Sequence, residues 1–96
     1  MTDDLDVRRK RAMYRAAHRG TKEMDALIGR YADAKLPDIA DQALERFERL
    51  LAVADPTLQA WIWGKEAVSG SEFENLVQDI RTFHGFDGLE RTTEKQ

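Results

Sequence analysis

The chain has no cysteine among its 96 residues. Disulfides, thiolate zinc sites, iron–sulfur clusters and cysteine nucleophiles are excluded together, and so small a chain without staples fits a reducing compartment. No apolar run is more than a few residues long, far short of the ~20 residues of a membrane-spanning helix. The opening Met1–Asp6 is acidic and lacks the apolar core of a secretory signal, and acid-poor transit peptides do not begin this way. The expected location is therefore the cytoplasm, without membrane insertion. Glycine is scarce and scattered, so there is no glycine-rich loop to cradle a phosphate. The two histidines, His18 and His84, lie far apart. A metal site would need His18, Glu23 and Asp25 to converge, and chance polar residues on two helices explain them more simply. Ser69 and Ser71 are accounted for by helix capping. With eighteen acidic residues, paired carboxylates carry no catalytic signal. Neither catalysis nor metal binding is expected.

What is present is a charge-rich globular composition, 42% hydrophobic and 34% charged. The length allows one small domain over 1–96, with 1–5 and 87–96 as frayed termini. The charge is unevenly placed. Residues 1–22 hold seven basic side chains (Arg8, Arg9, Lys10, Arg11, Arg15, Arg19, Lys22) against three acidic ones, whereas residues 33–90 hold five against twelve. Arg8 to Arg15 are thus expected to form a basic, partner-facing surface. Clustered Lys and Arg bring nucleic acid to mind, because they release counterions from phosphates. A sequence pI near 5.3 and an acidic remainder argue instead for a protein partner. A helical nucleic-acid-binding module built on the first helix is the alternative reading.

Helical periodicity runs throughout, and no segment alternates as a strand would. The first helix, about 5–18, carries Leu5, Arg9, Ala12, Met13, Ala16 and Ala17 on a narrow stripe suited to close helix packing. Gly20 can end it in a left-handed conformation, and Thr21 can cap a second helix, about 22–34, bearing Met24, Leu27, Ile28 and Tyr31. Gly29, in its middle, reads as a close approach. Pro37 is expected to push Leu36 out of the α region, and Asp38 to cap a third helix over about 39–53. That helix should bury Ala43, Phe47, Leu50, Leu51 and Ala54. Asp55-Pro56 reads as an N-cap followed by proline, opening a short fourth helix with Leu58, Trp61 and Ile62 inside and Gly64 at its end. Trp63 lies off that stripe and is a candidate contact. Ser71 and Glu74 form a capping box for a fifth helix, with Phe73, Leu76, Val77 and Ile80 in phase and Gly85 as its stop. The fold class is all-α, a single domain of five short helices.

Arg19-Gly20-Thr21-Lys22-Glu23 links the first two helices. Arg19 and Glu23 flank the turn, so both can project from one convex surface beside a bare glycine backbone, a plausible docking knob. The positive end of the helix dipole would by itself favour a carboxylate at Glu23.

Arg11-x-x-Tyr14-x-x-x-x-Arg19-Gly20-x-x-Glu23-x-Asp25 is followed by Phe47-Glu48-x-Leu50-Leu51, then by Asp55-x-x-Leu58-x-x-Trp61 and Gly64. In that order and spacing the chain resembles, over about residues 8–84, the small FAD assembly factors of succinate dehydrogenase and fumarate reductase, the SdhE or flavinator family. The resemblance implies a five-helix protein that is not an enzyme. It would be a monomer when free, bind the flavoprotein subunit of either dehydrogenase and promote covalent attachment of FAD there, without stably binding a cofactor itself. Its motif maps the partner-binding positions onto Arg19, Gly20 and Glu23, with Asp25 and Arg11 as flanking contacts. The chain departs from many members in carrying Thr21-Lys22 where they have apolar residues.

Overall fold

The computed structural model describes residues 4–66 and 70–86. Five α-helices follow in order, α1 (Asp4–Ala17), α2 (Lys22–Lys35), α3 (Asp41–Leu50), α4 (Asp55–Ile62) and α5 (Glu74–Phe83), with a 3₁₀ turn at Leu36–Asp38. There is no strand among the described residues, and the fold is all-α. Ser69 and the tail from Asp87 onward lie outside the described residues. The chain divides into two compact units, Met1–Val53 and Ala54–Gln96.

In the first unit, α1 and α2 pack through small residues. Ala12 and Ala16 are buried, and a Cβ built on Gly29 would lie 3.1 Å from the Cα of Ala17. A methyl group there would need the Ala17 backbone to give by a few tenths of an ångström, so glycine favours the close approach of α1 and α2. Thr21 caps α2 as its position suggests, its Oγ1 accepting from Met24 N at 3.2 Å. Met24, Leu27, Ile28, Tyr31 and Ala32 form the buried face of α2. Tyr31 stacks on Phe47 of α3 with ring centroids 6.1 Å apart.

The junction between α2 and α3 departs from expectation. Leu36 is buried and stays helical (φ −76°, ψ −26°) despite the following proline. Burying its side chain offsets the steric preference that proline imposes on its neighbour. Asp38 belongs to the 3₁₀ turn rather than capping α3, whose cap is Ala40, with no side-chain hydrogen bond. The buried stripe of α3 is Leu44, Phe47 and Leu50, continued by Leu51. Ala43 and Ala54 are exposed: the seam runs back from Phe47 by three residues to the larger Leu44, and Ala54 lies beyond the helix.

In the second unit α4 packs on α5. α4 begins at Asp55 with Ala54 as its cap, one residue before the Asp55 cap that the sequence suggests. Leu58, Ile62, Val77 and Ile80 are buried, while Trp61 and Leu76 are only half-buried. Trp61 stands beside the Phe73 ring at 6.2 Å between centroids. Trp63 is half-buried and stacks on Phe86 at 4.7 Å. The capping box of α5 is displaced: Ser71 Oγ accepts from Phe73 N at 3.0 Å and Glu74 Oε1 from Gly70 N at 3.1 Å. Gly64 and Gly85 follow their helices with φ of +80° and +78°, the conformation for which glycine is suited.

Candidate docking turn and helix face

α1 has two sides with different duties. Arg8 reaches across to α3: its Nη1 donates to Asp41 Oδ1 at 2.8 Å and its Nη2 to Glu48 Oε1 at 2.9 Å. Hydrogen bonds donated to Glu48 first, and then to Asp41, raise the Arg8 pKa further above its already high ordinary value. Arg9 donates from Nε and Nη2 to the Ile39 carbonyl, at 3.1 and 2.5 Å. Arg8 therefore fastens α1 to α3, at its first residue and in its last turn, and Arg9 fastens α1 to the link before α3. The expected basic face is narrower than Arg8 to Arg15, because these two guanidiniums are engaged by groups of the same unit.

The other side of α1 faces outward. Val7, Arg11, Tyr14, Arg15 and His18 are exposed, at the spacing that puts them on one helical face. Tyr14 is 65% exposed, unusual for so large a ring. His18 stacks on it at 4.0 Å with 21° between planes. His18 Nδ1 lies 2.8 Å from the Tyr14 carbonyl, which can only accept, so Nδ1 carries the proton of that bond. The pair therefore forms a fixed aromatic step at the end of α1. Sequence reasoning placed Tyr14 only in the family pattern and gave His18 no role. The available signal was an aromatic residue opposite the alanine stripe.

The turn that follows is tied by two residues from the motif. Asp25 is half-buried, and its Oδ1 accepts from Arg19 N at 2.5 Å and Gly20 N at 3.2 Å. Gly20 has φ +121°, and a Cβ there would meet nothing within 4 Å. Glycine is required by the backbone and not by crowding. Arg19 is not the exposed residue that the sequence suggests. Its guanidinium donates from Nη1 to Leu51 O at 2.6 Å and from Nη2 to Val53 O at 3.0 Å. The Leu51 carbonyl is at the C-cap of α3, where backbone acceptors outrun helical donors and the dipole is negative, and the Val53 carbonyl lies in the turn just after it. Arg19 is half-buried and serves as a C-terminal cap for α3.

Of the five candidate positions, Arg11, Gly20 and Glu23 lie at the surface, whereas Arg19 and Asp25 are engaged in shaping the turn. Thr21 and Lys22 are exposed, in keeping with their polarity. Among the described residues no three His, Asp or Glu side chains gather as metal ligands. No helix of the described residues is long and apolar enough to cross a membrane.

Comparison with known proteins bears on the same stretch. The family profile described as "Flavinator of succinate dehydrogenase" matches residues 10–84, from α1 through the end of α5. The "FAD assembly factor SdhE" of Acetobacter pasteurianus is 34% identical, over 86% of this chain and 80% of that protein. The protein of the same name from Colwellia psychrerythraea is 34% identical over 82% of this chain and 86% of its own length. "Succinate dehydrogenase assembly factor 2, mitochondrial" of Dictyostelium discoideum is 30% identical, over 84% of this chain and 57% of that protein. No solved structure matches at a significant level. With the motif turn, five helices and a match across nearly all the described residues, the chain belongs to the family of flavinators of succinate dehydrogenase.

Proposed function

We propose that this protein binds the flavoprotein subunit of succinate dehydrogenase, or of fumarate reductase, and promotes covalent attachment of FAD to it without supplying catalytic groups. The observation that carries the reading is the continuous exposed run from Arg11 through the Tyr14–His18 step to Gly20 and Glu23, inside the stretch matched by the family. It combines features suited to a protein interface: an aromatic ring with a polar tip, a guanidinium fork, and a carboxylate beside accessible backbone.

Covalent flavinylation requires a side chain of the client to meet the flavin in a near-attack geometry. A binding partner can promote this by stabilising the competent arrangement of the client, which is a population shift and needs no chemistry from the partner. Raising a competent state from about 1% to half-populated takes ~2.7 kcal/mol of differential binding, within reach of a small interface. FAD in this reading is the client's cofactor throughout.

The test is to produce the flavoprotein subunit with and without this protein in a host lacking its own factor. Flavin fluorescence of the denatured flavoprotein band reports only covalent cofactor. The reading expects strong fluorescence with the protein and little without it; equal fluorescence in both would refute it. A companion pull-down that recovers nucleic acid and no flavoprotein would instead favour the nucleic-acid module.

A further inference from the structure

We infer that Arg19 is a positioning residue: by capping the end of α3 it holds the docking turn ready, and it sets how fast the client is captured. The inference rests on the docking reading above and assigns Arg19 a role different from that of Arg11 and Glu23. The motif arginine has both terminal guanidinium nitrogens committed to backbone acceptors, Leu51 O at 2.6 Å and Val53 O at 3.0 Å. These acceptors lie 32 and 34 residues further along the chain. Its own backbone N–H is committed as well, to Asp25 Oδ1 at 2.5 Å. Arg19 thus joins three elements at one point: the end of α1, the first turn of α2 through Asp25, and the end of α3.

The geometry explains why arginine suits this position. Two carbonyls separated by one residue need two donors diverging from one rigid plane, which the guanidinium fork supplies and a lysine ammonium matches poorly. Gly20, next in sequence, has a positive φ and open space around it, so local packing does not hold it in place. What holds it is the bracing on either side: Arg19 to α3, and Asp25 to the two amides. With the guanidinium removed, the turn keeps Asp25 and Thr21 but loses its tie to α3.

A positioning role and a direct contact differ in kinetics. When only a fraction of molecules has the turn in place, the apparent dissociation constant rises by the inverse of that fraction. For a turn that opens and closes rapidly, the loss falls on the association rate, and the bound complex dissociates as before. Losing a direct contact acts mainly on dissociation. Losing a surface charge also slows association through weaker steering, but that effect is screened by salt.

The experiment measures association and dissociation rates with the flavoprotein subunit at low and high salt for wild type, Arg19→Ala and Arg19→Lys. Arg81→Lys, altered in the other unit, serves as a variant whose loss is merely structural. Amide hydrogen exchange of the free proteins at Gly20, where the amide is held by Asp25, is followed in parallel. The expected result for Arg19→Ala is association slowed about tenfold at both salt concentrations, with dissociation within about twofold of wild type. Gly20 exchange is faster, Arg19→Lys falls between, and Arg81→Lys associates at the wild-type rate. Faster dissociation with unchanged association, or a deficit that high salt abolishes, would overturn the inference. So would unaltered Gly20 exchange, which is read without any client. If wild type itself fails to bind the subunit, the docking reading fails, while the exchange result still reports on the brace.

Discussion

Each unit closes a helix end with an arginine, but the two arginines sit in different surroundings. In the first unit Arg19 caps the carbonyls after α3 from a half-buried position beside the exposed turn. In the second, Arg81 is 5% exposed and donates to Ile62 O at 2.6 Å, at the end of α4, and to Phe86 O at 3.0 Å. The chemistry is the same: a planar cation supplies donors where a helix has run out of them. The difference lies in what water can do. Both Arg19 bonds and the Arg81 bond to Phe86 O are part-buried, whereas the Arg81 bond to Ile62 O is buried, where no water would replace it. One brace is therefore a fixed part of its unit, and the other can loosen without unfolding the chain.

The largest expected effect concerns what each unit buries. Phe47 is fully buried, so Phe47→Ala should cost ~3–5 kcal/mol in chemical denaturation. Trp61 is half-buried, so Trp61→Ala should cost clearly less despite the larger ring. An equal or greater loss at Trp61 would mean that exposure misjudges its packing.

Next comes the arginine pair itself. Arg81→Ala leaves the buried Ile62 carbonyl unsatisfied and should cost ~2–3 kcal/mol. Arg19→Ala should cost ~1 kcal/mol, because water replaces part of what is lost. The order of the two, measured under one set of conditions, decides whether exposure separates the braces; equal losses would erase the distinction.

The smallest effect belongs to the fasteners of α1. Arg8→Ala removes ion pairs to Asp41 and Glu48 at the surface, so the loss should be slight and should shrink as salt is added. The raised pKa of Arg8 means that its stabilising contribution is present at every pH below its unfolded value and is lost only on rising through the folded one. Both lie above the accessible range, so a titration toward alkaline pH should not release Arg8. A stability loss under mild alkali that disappears in Arg8→Ala would contradict this.

The same contrast shows which features could be read from the chain. The ends of α1 and α2 lie within a residue of the sequence expectation, because Gly20 and Thr21 act locally, one through φ and the other through a hydrogen bond three residues on. Gly29 was legible as a close approach because a mid-helix glycine costs ~1 kcal/mol and needs a reason. The start of α3 was missed because burial of Leu36 carries the chain past Pro37 into a 3₁₀ turn, leaving Asp38 without a capping role. The exposed members of the candidate site, Arg11, Gly20 and Glu23, follow from helix phase and turn chemistry. The roles of Arg8, Arg9 and Arg19 do not. Each is fixed by acceptors thirty or more residues away: two carboxylates among many for Arg8, and for Arg9 and Arg19 backbone carbonyls, which leave no mark in the sequence.

The central claim is that the exposed run on α1 and its turn acts on a flavoprotein, and the double variant Arg11→Ala/Glu23→Ala tests it most directly. Both side chains are exposed, and a carboxylate near a helix N-terminus contributes only ~0.3–1 kcal/mol, so the variant should melt within a few degrees of wild type. The decisive measurement is flavin fluorescence of the denatured flavoprotein band after co-production with this variant in a host lacking its own factor. The account predicts a folded protein and covalent flavin reduced to the level seen with no factor present. Full covalent incorporation with the folded double variant would contradict it.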